Sequence, residues 1–332
     1  MAPRDTAQPP TVTHEPDGTA GLRPRFEWLE RVLEGSAPPG DAPASLGSAA
    51  AEPGAGAMAV VAYPLDAASG PPDAGISYRA HEPFPAASTI KVFVLQALLE
   101  LVAAGTARLD DELEVRAADM VSGSGVLKAL TPGRRHTLRD LATLMIAVSD
   151  NTATNVLIEF VGLDRVNASI RAHGWSGTVS AGKLQTGAPT GAGAPARSTT
   201  TAADLADHFA RLWRGELLPP TLMVEAQAMY RKQQYCELGR AIGHDSYLAS
   251  IGEGPWRIAS KSGSITGVRN DAGVFEPLTA TGAPFVVAIM TRGCVDPRFH
   301  AENLGARVVG WAAAAVLERL APPPTGDTRL TP

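Results

Sequence analysis

Apolar and polar positions alternate along the chain with two different periods. Phe26, Trp28, Leu29, Val32 and Leu33 fall at helical spacing and stop at Gly35, which predicts a first helix. Apolar runs over 57–63 and 76–80 flank the turn-forming Gly70-Pro71-Pro72-Asp73 and read as a hairpin of two strands. From Ser88 to about Trp213 the period becomes helical. Thr137-Leu138-Arg139-Asp140 is a capping box ahead of an apolar stripe through Leu138, Leu141, Leu144, Met145 and Val148. A further helix carries Asn155, Val156, Leu157 and Phe160, Asp164 falls near the start of another, and Thr201 caps one containing Leu205, Phe209 and Leu212. Strand patterns return over 256–260, 271–275 and 284–291. A closing helix over 302–321 turns Leu304, Val308, Trp311, Val316 and Leu320 to one side.

Four stretches lack either period. Residues 1–23 are polar and proline-bearing and predict a disordered leader, and 322–332 predict a proline-rich disordered tail. Residues 35–57, built almost wholly from Gly, Ala, Pro and Ser, predict a flexible connection. Residues 174–200 hold Gly174, Gly177, Gly182, Gly187, Gly191 and Gly193 and predict a long loop, a length that usually serves function or movement.

Composition narrows the function classes. With 332 residues, 45% hydrophobic and 19% charged, the chain can bury one large core or two lobes. A net charge of −5 without a basic cluster argues against nucleic acid and anionic membrane as partners. The longest apolar runs, near 92–103 and 308–320, are short and broken by Gln96, Glu100 and Glu318, so no transmembrane helix is expected. Met1-Ala2-Pro3-Arg4-Asp5 leads into polar sequence without an apolar signal core, which predicts a cytoplasmic product. Cys236 and Cys294 could make one disulfide but not a disulfide framework or a metal site. The seven histidines form no ligand-spaced pair, so neither metal nor cofactor is expected, and the partner is a small molecule acted on by a monomer.

The candidate chemistry starts at Ser88-Thr89-Ile90-Lys91. A serine and a lysine three residues apart at the head of an apolar helix share a face, so ammonium and hydroxyl can meet. A lysine whose pKa is lowered by burial and cationic neighbours can activate such a serine, and the helix start favours an oxyanion. Ser149-Asp150-Asn151 lies between two helices, where the serine could relay a proton and the asparagine amide could hold a substrate carbonyl. Lys261-Ser262-Gly263 follows the strand at 256–260, placing a cation and a hydroxyl at a strand edge, with a glycine that would let a substrate amide lie against the backbone. Arg269 would complete a cationic patch with Lys261 for a substrate carboxylate. Each motif alone has an ordinary explanation as a chance helix pair, an N-cap or a strand end; all three in this order do not.

Together these motifs, with Lys261-Ser262-Gly263-Ser264 as the third, resemble those of class A β-lactamases and penicillin-binding proteins. Val148-Ser149-Asp150-Asn151-Thr152-Ala153-Thr154-Asn155 is similar to the class A segment between two helices. The resemblance implies an α/β (α+β) fold in one catalytic domain, 24–321. An antiparallel sheet flanked by helices would come from 24–85 and 216–321, and an all-helical lobe from 86–215. It implies Ser88 as the acylated nucleophile, Lys91 as its base or proton relay, and Ser149 as the proton shuttle to the leaving nitrogen. Asn151 would bind the substrate's side-chain amide, and Lys261 and Ser262 its carboxylate. The backbone N–H groups of Ser88 and Ser264 would form the oxyanion hole.

One departure bears on mechanism. Class A enzymes carry a loop glutamate that activates the deacylating water, whereas no glutamate occurs from Phe160 to Gly215. Gln185, Thr186 or Lys91 would have to serve, or deacylation would be slow. The lip Ser122-Gly123-Ser124-Gly125-Val126-Leu127 also lacks the aromatic residue common there. The expectation is therefore an acyl-serine hydrolase of β-lactams. A cytoplasmic esterase, thioesterase or amidase on the same site is the alternative, and a non-catalytic binding protein is less in keeping with intact Ser88, Lys91, Ser149 and Lys261. A cell-wall transpeptidase is disfavoured for want of an export segment.

Overall fold

The computed structural model describes residues 17–37, 56–66, 75–184, 197–278 and 282–321. Within these, nine strands are β1 (Ala57–Pro64), β2 (Ile76–Tyr78), β3 (Phe84–Pro85), β4 (Glu112–Val115), β5 (Arg134–Thr137), β6 (Thr199–Thr200), β7 (Trp256–Ile265), β8 (Val268–Pro277) and β9 (Phe285–Arg292). The helices are α1 (Asp17–Ala20), α2 (Arg23–Leu33), α3 (Lys91–Ala103), α4 (Leu138–Ala147), α5 (Asn151–Val161), α6 (Leu163–Ala172), α7 (Ala202–Trp213), α8 (Pro220–Tyr230), α9 (Ser246–Ser250) and α10 (Leu304–Leu320).

Five strands form one antiparallel sheet in the order β2-β1-β9-β8-β7, so strands from opposite ends of the chain meet at its centre and β7 is an edge. Because successive side chains point to opposite faces, each strand contributes to two cores. Met58, Val60, Ala62, Phe275, Val287 and Ile289 pack under α2 and α10. Ala59, Val61, Ala272, Val274, Ala288 and Met290 face the other way, toward α7 and the helical layer. Burial on both faces explains why β1 and β9 read as continuous apolar runs rather than alternating ones. In the helical layer α3 is buried from Lys91 to Leu99 and packs against α4, α5, α6 and α8.

The predicted fold class is observed, with several boundaries moved. Residues 17–23 are ordered rather than part of a leader: Thr19 is fully buried and its hydroxyl accepts the Ser77 amide at the sheet edge, 2.7 Å away. Residues 1–16, 38–55, 185–196 and 322–332 of the predicted leader, connection, loop and tail lie outside the described residues. α7, expected in the helical lobe, lies directly on the sheet. α8, expected with the α/β lobe, packs on α4 and α7. β4 and β5 pair as a small hairpin within the stretch read as helical. The strand predicted over 256–260 continues to Ile265, which places Lys261, Ser262 and Gly263 inside β7 rather than after it.

Side-chain caps open both α4 and α5. Thr137 accepts Asp140 N and opens α4, which realises the N-cap half of the predicted capping box. Asp150 caps α5 with one oxygen, accepting Ala153 N at 2.9 Å, and with the other it accepts Val126 N at 2.6 Å and Leu127 N at 2.9 Å. One buried carboxylate thus joins the helix start to the lip facing it. Gly125 is required there, since a Cβ would stand 2.3 Å from the Asp150 carboxyl at a φ of +106°. Asp150→Ala should lower unfolding free energy by about 3–4 kcal/mol, because a buried helix start and two lip amides lose their acceptor together. Denaturant unfolding measures it; a loss below ~1 kcal/mol would mean the lip is held by other contacts.

Candidate active site

Ser88 sits in a 3₁₀ turn, Ala87–Ile90, that runs directly into α3. In this tighter helix residues three apart eclipse, so Ser88 and Lys91 share one face. The turn is entered through Ala87 at a φ of +48°, a left-handed conformation that costs a residue bearing a Cβ and persists only where its surroundings hold it. Asn270 on β8, fully buried, does the holding. Its amide donates to Pro85 O at 2.9 Å and Ala86 O at 3.3 Å, while its Oδ1 accepts Thr291 N.

Gly263 lies opposite Asn270 in the β7–β8 register. A Cβ at this position would be 2.9 Å from both Ser88 N and Thr89 N and 3.0 Å from Ala86 O. The space expected for a substrate amide is occupied by the nucleophile turn itself, and the glycine is what lets strand and turn touch.

Lys91 is completely buried. Its Nζ donates to Ser149 O at 2.8 Å, Ser149 Oγ at 2.9 Å and Asn151 Oδ1 at 2.9 Å. Ser149 meets the ammonium with both oxygens because its backbone is left-handed, with a φ of +53°. Burial, reinforced by the Lys261 ammonium and opposed by Asp150, holds Lys91 well below the ordinary lysine range. Ser88 Oγ, partly exposed, takes part in no hydrogen bond among the described residues. Asn151 is committed on both sides, its Nδ2 donating to Ser122 O at 3.2 Å. Gly123 makes room for that amide, since a Cβ would stand 2.5 Å from it.

Lys261 is also fully buried, donates to Ser262 O at 2.7 Å, and is brought down to about 7 by burial, against the pull of Asp271. Strand parity separates it from Arg269. Lys261 pairs with Ala272 and Gly263 with Asn270 on the face toward the helical layer, whereas Ser264 pairs with Arg269 and Ser262 with Asp271 on the other. The structure therefore does not bring Arg269 and Lys261 into one patch. The Arg269 guanidinium, 3% exposed, donates to Ile265 O, Val268 O and Arg298 O and lies over the Phe299 ring. Ser262, buried, and Ser264, exposed at the edge, were expected beside Lys261 but by the same parity turn their side chains to the other face.

Two asparagines given no role by the sequence, Asn167 and the Asn155 that ends the 148–155 segment, fix the loop after α6. Asn167 exchanges hydrogen bonds with Ser180 through both side-chain atoms, and Asn155 does the same with Leu184, donating to its O at 2.9 Å and accepting its N at 2.6 Å. Asn155 lies one helical turn beyond Asn151, on the same side of α5, and ties the Leu184 backbone to that helix. Gln185 and Thr186, the candidates for activating water, lie outside the described residues.

Two outcomes follow from this geometry. In a pH profile of kcat/KM for a carboxylate-bearing substrate, the alkaline limb should begin near pH 7, where Lys261 loses its charge in the free protein. The acid limb comes from Lys91, which must be neutral to accept a proton. A profile still climbing at pH 9 would remove Lys261 from recognition. Arg269→Ala should lower unfolding free energy by about 2–3 kcal/mol through its lost hydrogen bonds while leaving KM nearly unchanged; a large rise in KM with an unaltered melting curve would return Arg269 to the binding site.

Comparison with known proteins places this arrangement. The family model described as the β-lactamase enzyme family matches residues 49–320. A β-lactamase of Rhodobacter capsulatus is 31% identical over 242 residues, 73% of this chain and 78% of that one. β-Lactamase L2 of Stenotrophomonas maltophilia is 33% identical over 237 residues, 70% of this chain and 73% of its own. A solved β-lactamase structure from Sphaerobacter thermophilus DSM 20745 superposes with a TM-score of 0.69 at 33% identity, covering 82% of this chain and 94% of that chain. With the family model spanning both lobes and all three motifs, the chain belongs to the β-lactamase enzyme family.

Proposed function

We propose that the protein is a serine hydrolase that opens β-lactams through an acyl-enzyme on Ser88. The observation that carries this reading is the buried Lys91 ammonium, hydrogen-bonded to Ser149 and facing a second buried lysine. Such a site favours the neutral amine, which is the form able to take the Ser88 proton. Ser88 Oγ then bonds to the lactam carbonyl carbon, and the charge on its oxygen is met by the N–H groups of Ser88 and Ser264. As the C–N bond breaks, the proton passes from Lys91 through Ser149 Oγ to the leaving nitrogen. The 2.9 Å contact between Nζ and Oγ supports this path. Lys261 would receive the carboxylate, and the remaining Asn151 N–H the side-chain amide.

The same proposal takes the substrate as a small carboxylate-bearing molecule and the protein as a monomer in the cytoplasm. The free thiols of Cys236 and Cys294 accord with a reducing compartment. No helix among the described residues is long and apolar enough to cross a membrane. The names of the relatives support a lactam over an ester or thioester on this site.

Acylation and release should be unequal. Lys91 and Ser149, the proton-handling groups for acylation, are in contact, whereas the loop residue that Asn155 holds on α5 is Leu184, which cannot activate water. With a chromogenic cephalosporin we expect a stoichiometric burst followed by slow turnover, since losing a general base costs about 10²–10⁴-fold. Mass spectrometry after penicillin treatment should show an adduct that Ser88→Ala abolishes; an adduct on the alanine variant would end the assignment. Leu184→Glu should hasten decay of the adduct by about tenfold or more, and unchanged decay would place the water elsewhere.

A further inference from the structure

The antiparallel pairing of β8 with β9 stops before β9 ends. Its register runs from Phe275 opposite Phe285 to Asp271 opposite Ile289, whereas β9 continues beside β1 as far as Arg292. Past Ile289 side chains replace the backbone ladder. Thr291 Oγ1 accepts Arg269 N at 3.0 Å and donates to Arg269 O at 2.6 Å, and Thr291 N donates to Asn270 Oδ1 at 3.0 Å. The oxygen of the Asn270 amide thus serves β9, and its nitrogen serves the turn that carries Ser88. Nδ2 reaches two successive peptide units there, through Pro85 O and Ala86 O. The first of these units is also held at its other end, since Ala86 N donates to Ser198 O at 2.9 Å. The carbonyl of the second accepts Thr89 N at 3.1 Å and Thr89 Oγ1 at 2.7 Å from within the turn, so Asn270 is its hold from outside. Ala87 follows immediately at a φ of +48°. The next peptide unit carries Ser88 N–H, and the Ala87 torsions set the direction in which that N–H points.

We propose that Asn270 is a positioning residue for acylation, an inference that rests on the lactam-opening reading of the site. By fixing the peptide units on either side of Ala86 it imposes the left-handed Ala87, and so aims Ser88 N–H at the carbonyl oxygen of the opening lactam. Asn270 itself acts only through the turn. An alanine without such a hold favours the right-handed conformation, which would swing the Ser88 N–H away from that direction. The Lys91 contacts with Ser149 and Asn151 do not involve Asn270, so its loss bears on the oxyanion donor and not on the proton path. A donor held in advance where charge develops is worth most in the transition state and little in the bound ground state. The effect therefore falls on the rate of acylation and not on the affinity for the lactam.

The experiment follows acylation of the full chain by a chromogenic cephalosporin in stopped flow over a range of concentrations, with intact-protein mass spectrometry to identify the adduct. Asn270→Ala should lower the limiting acylation rate by about tenfold or more and move the half-saturating concentration by about twofold at most. Adding Ala87→Gly to that variant should recover most of the lost rate, because glycine adopts the left-handed backbone without a steric penalty. Asn270→Asp keeps an acceptor for Thr291 N and removes both amide donors; it should show the same loss and the same recovery, and it serves where the alanine variant fails to fold. If Asn270 only braced the sheet, its replacement would lower the melting midpoint and a glycine at position 87 would restore nothing. An unchanged limiting rate, or a loss that Ala87→Gly relieves in neither variant, would overturn the role of Asn270 while Ser88 acylation stands. If the unmodified protein forms no adduct, the lactam reading fails and this inference falls with it.

Discussion

Everything at the site depends on how closely the turn carrying Ser88 can lie on β7. The contact is made backbone to backbone, with Gly263 below Ser88 N and Thr89 N and the Asn270 amide gripping the two carbonyls before the turn. A single methyl at Gly263 would push the strand away. Because the seat is built on the sheet and Lys91 extends from it into the helical layer, this contact also sets how the two layers face each other. The left-handed backbone at Ala87 is tolerable only because Asn270 determines it from outside the turn.

The second constraint is electrostatic. Two fully buried lysines share one site, and a buried ammonium without a carboxylate against it is costly. Lys91 is offered uncharged oxygens, from Ser149 and Asn151, instead of a counterion. Hydrogen bonds to neutral acceptors satisfy the amine in either protonation state, so they do not lock the proton on. A carboxylate in their place would hold the proton on and return Lys91 toward the ordinary lysine range. The left-handed Ser149 serves the same end by turning both its oxygens onto one nitrogen. Stability is given up locally where reactivity is needed.

Features encoded within one helix or turn were legible in the sequence. The spacing of Ser88 and Lys91, the caps at Thr137 and Thr201, and the helix ending near Gly35 all depend on neighbours a few residues away. Features that depend on register were not. Arg269 lies close to Lys261 in sequence, yet strand parity sends the two side chains to opposite faces, and parity becomes visible only when the strand is known to continue through Ile265. Asn155, Asn167 and Asn270 act by grasping backbone far away in sequence, and an isolated asparagine carries no sign of that. The two glycines of the lip read as a turn, and only contact with Asp150 and Asn151 shows why a side chain is excluded. Thr19 was missed because one buried threonine within a polar stretch leaves no periodic trace.

The pairing of β1 with β9 has a consequence for how the protein is made. Helices α3 to α6 are consecutive in sequence, so α3 can bury itself among α4, α5 and α6 before the central sheet is complete. β1 must meanwhile wait for its partner strand, and long-range antiparallel pairing is the slow part of folding. Gly263 and Asn270 arrive with those last strands. A chain still on the ribosome can therefore hold Ser88, Lys91 and Ser149 in a folded helical body and yet lack the floor that shapes the nucleophile turn. The seat of Ser88 therefore takes its shape only when the strands from both ends of the chain have met.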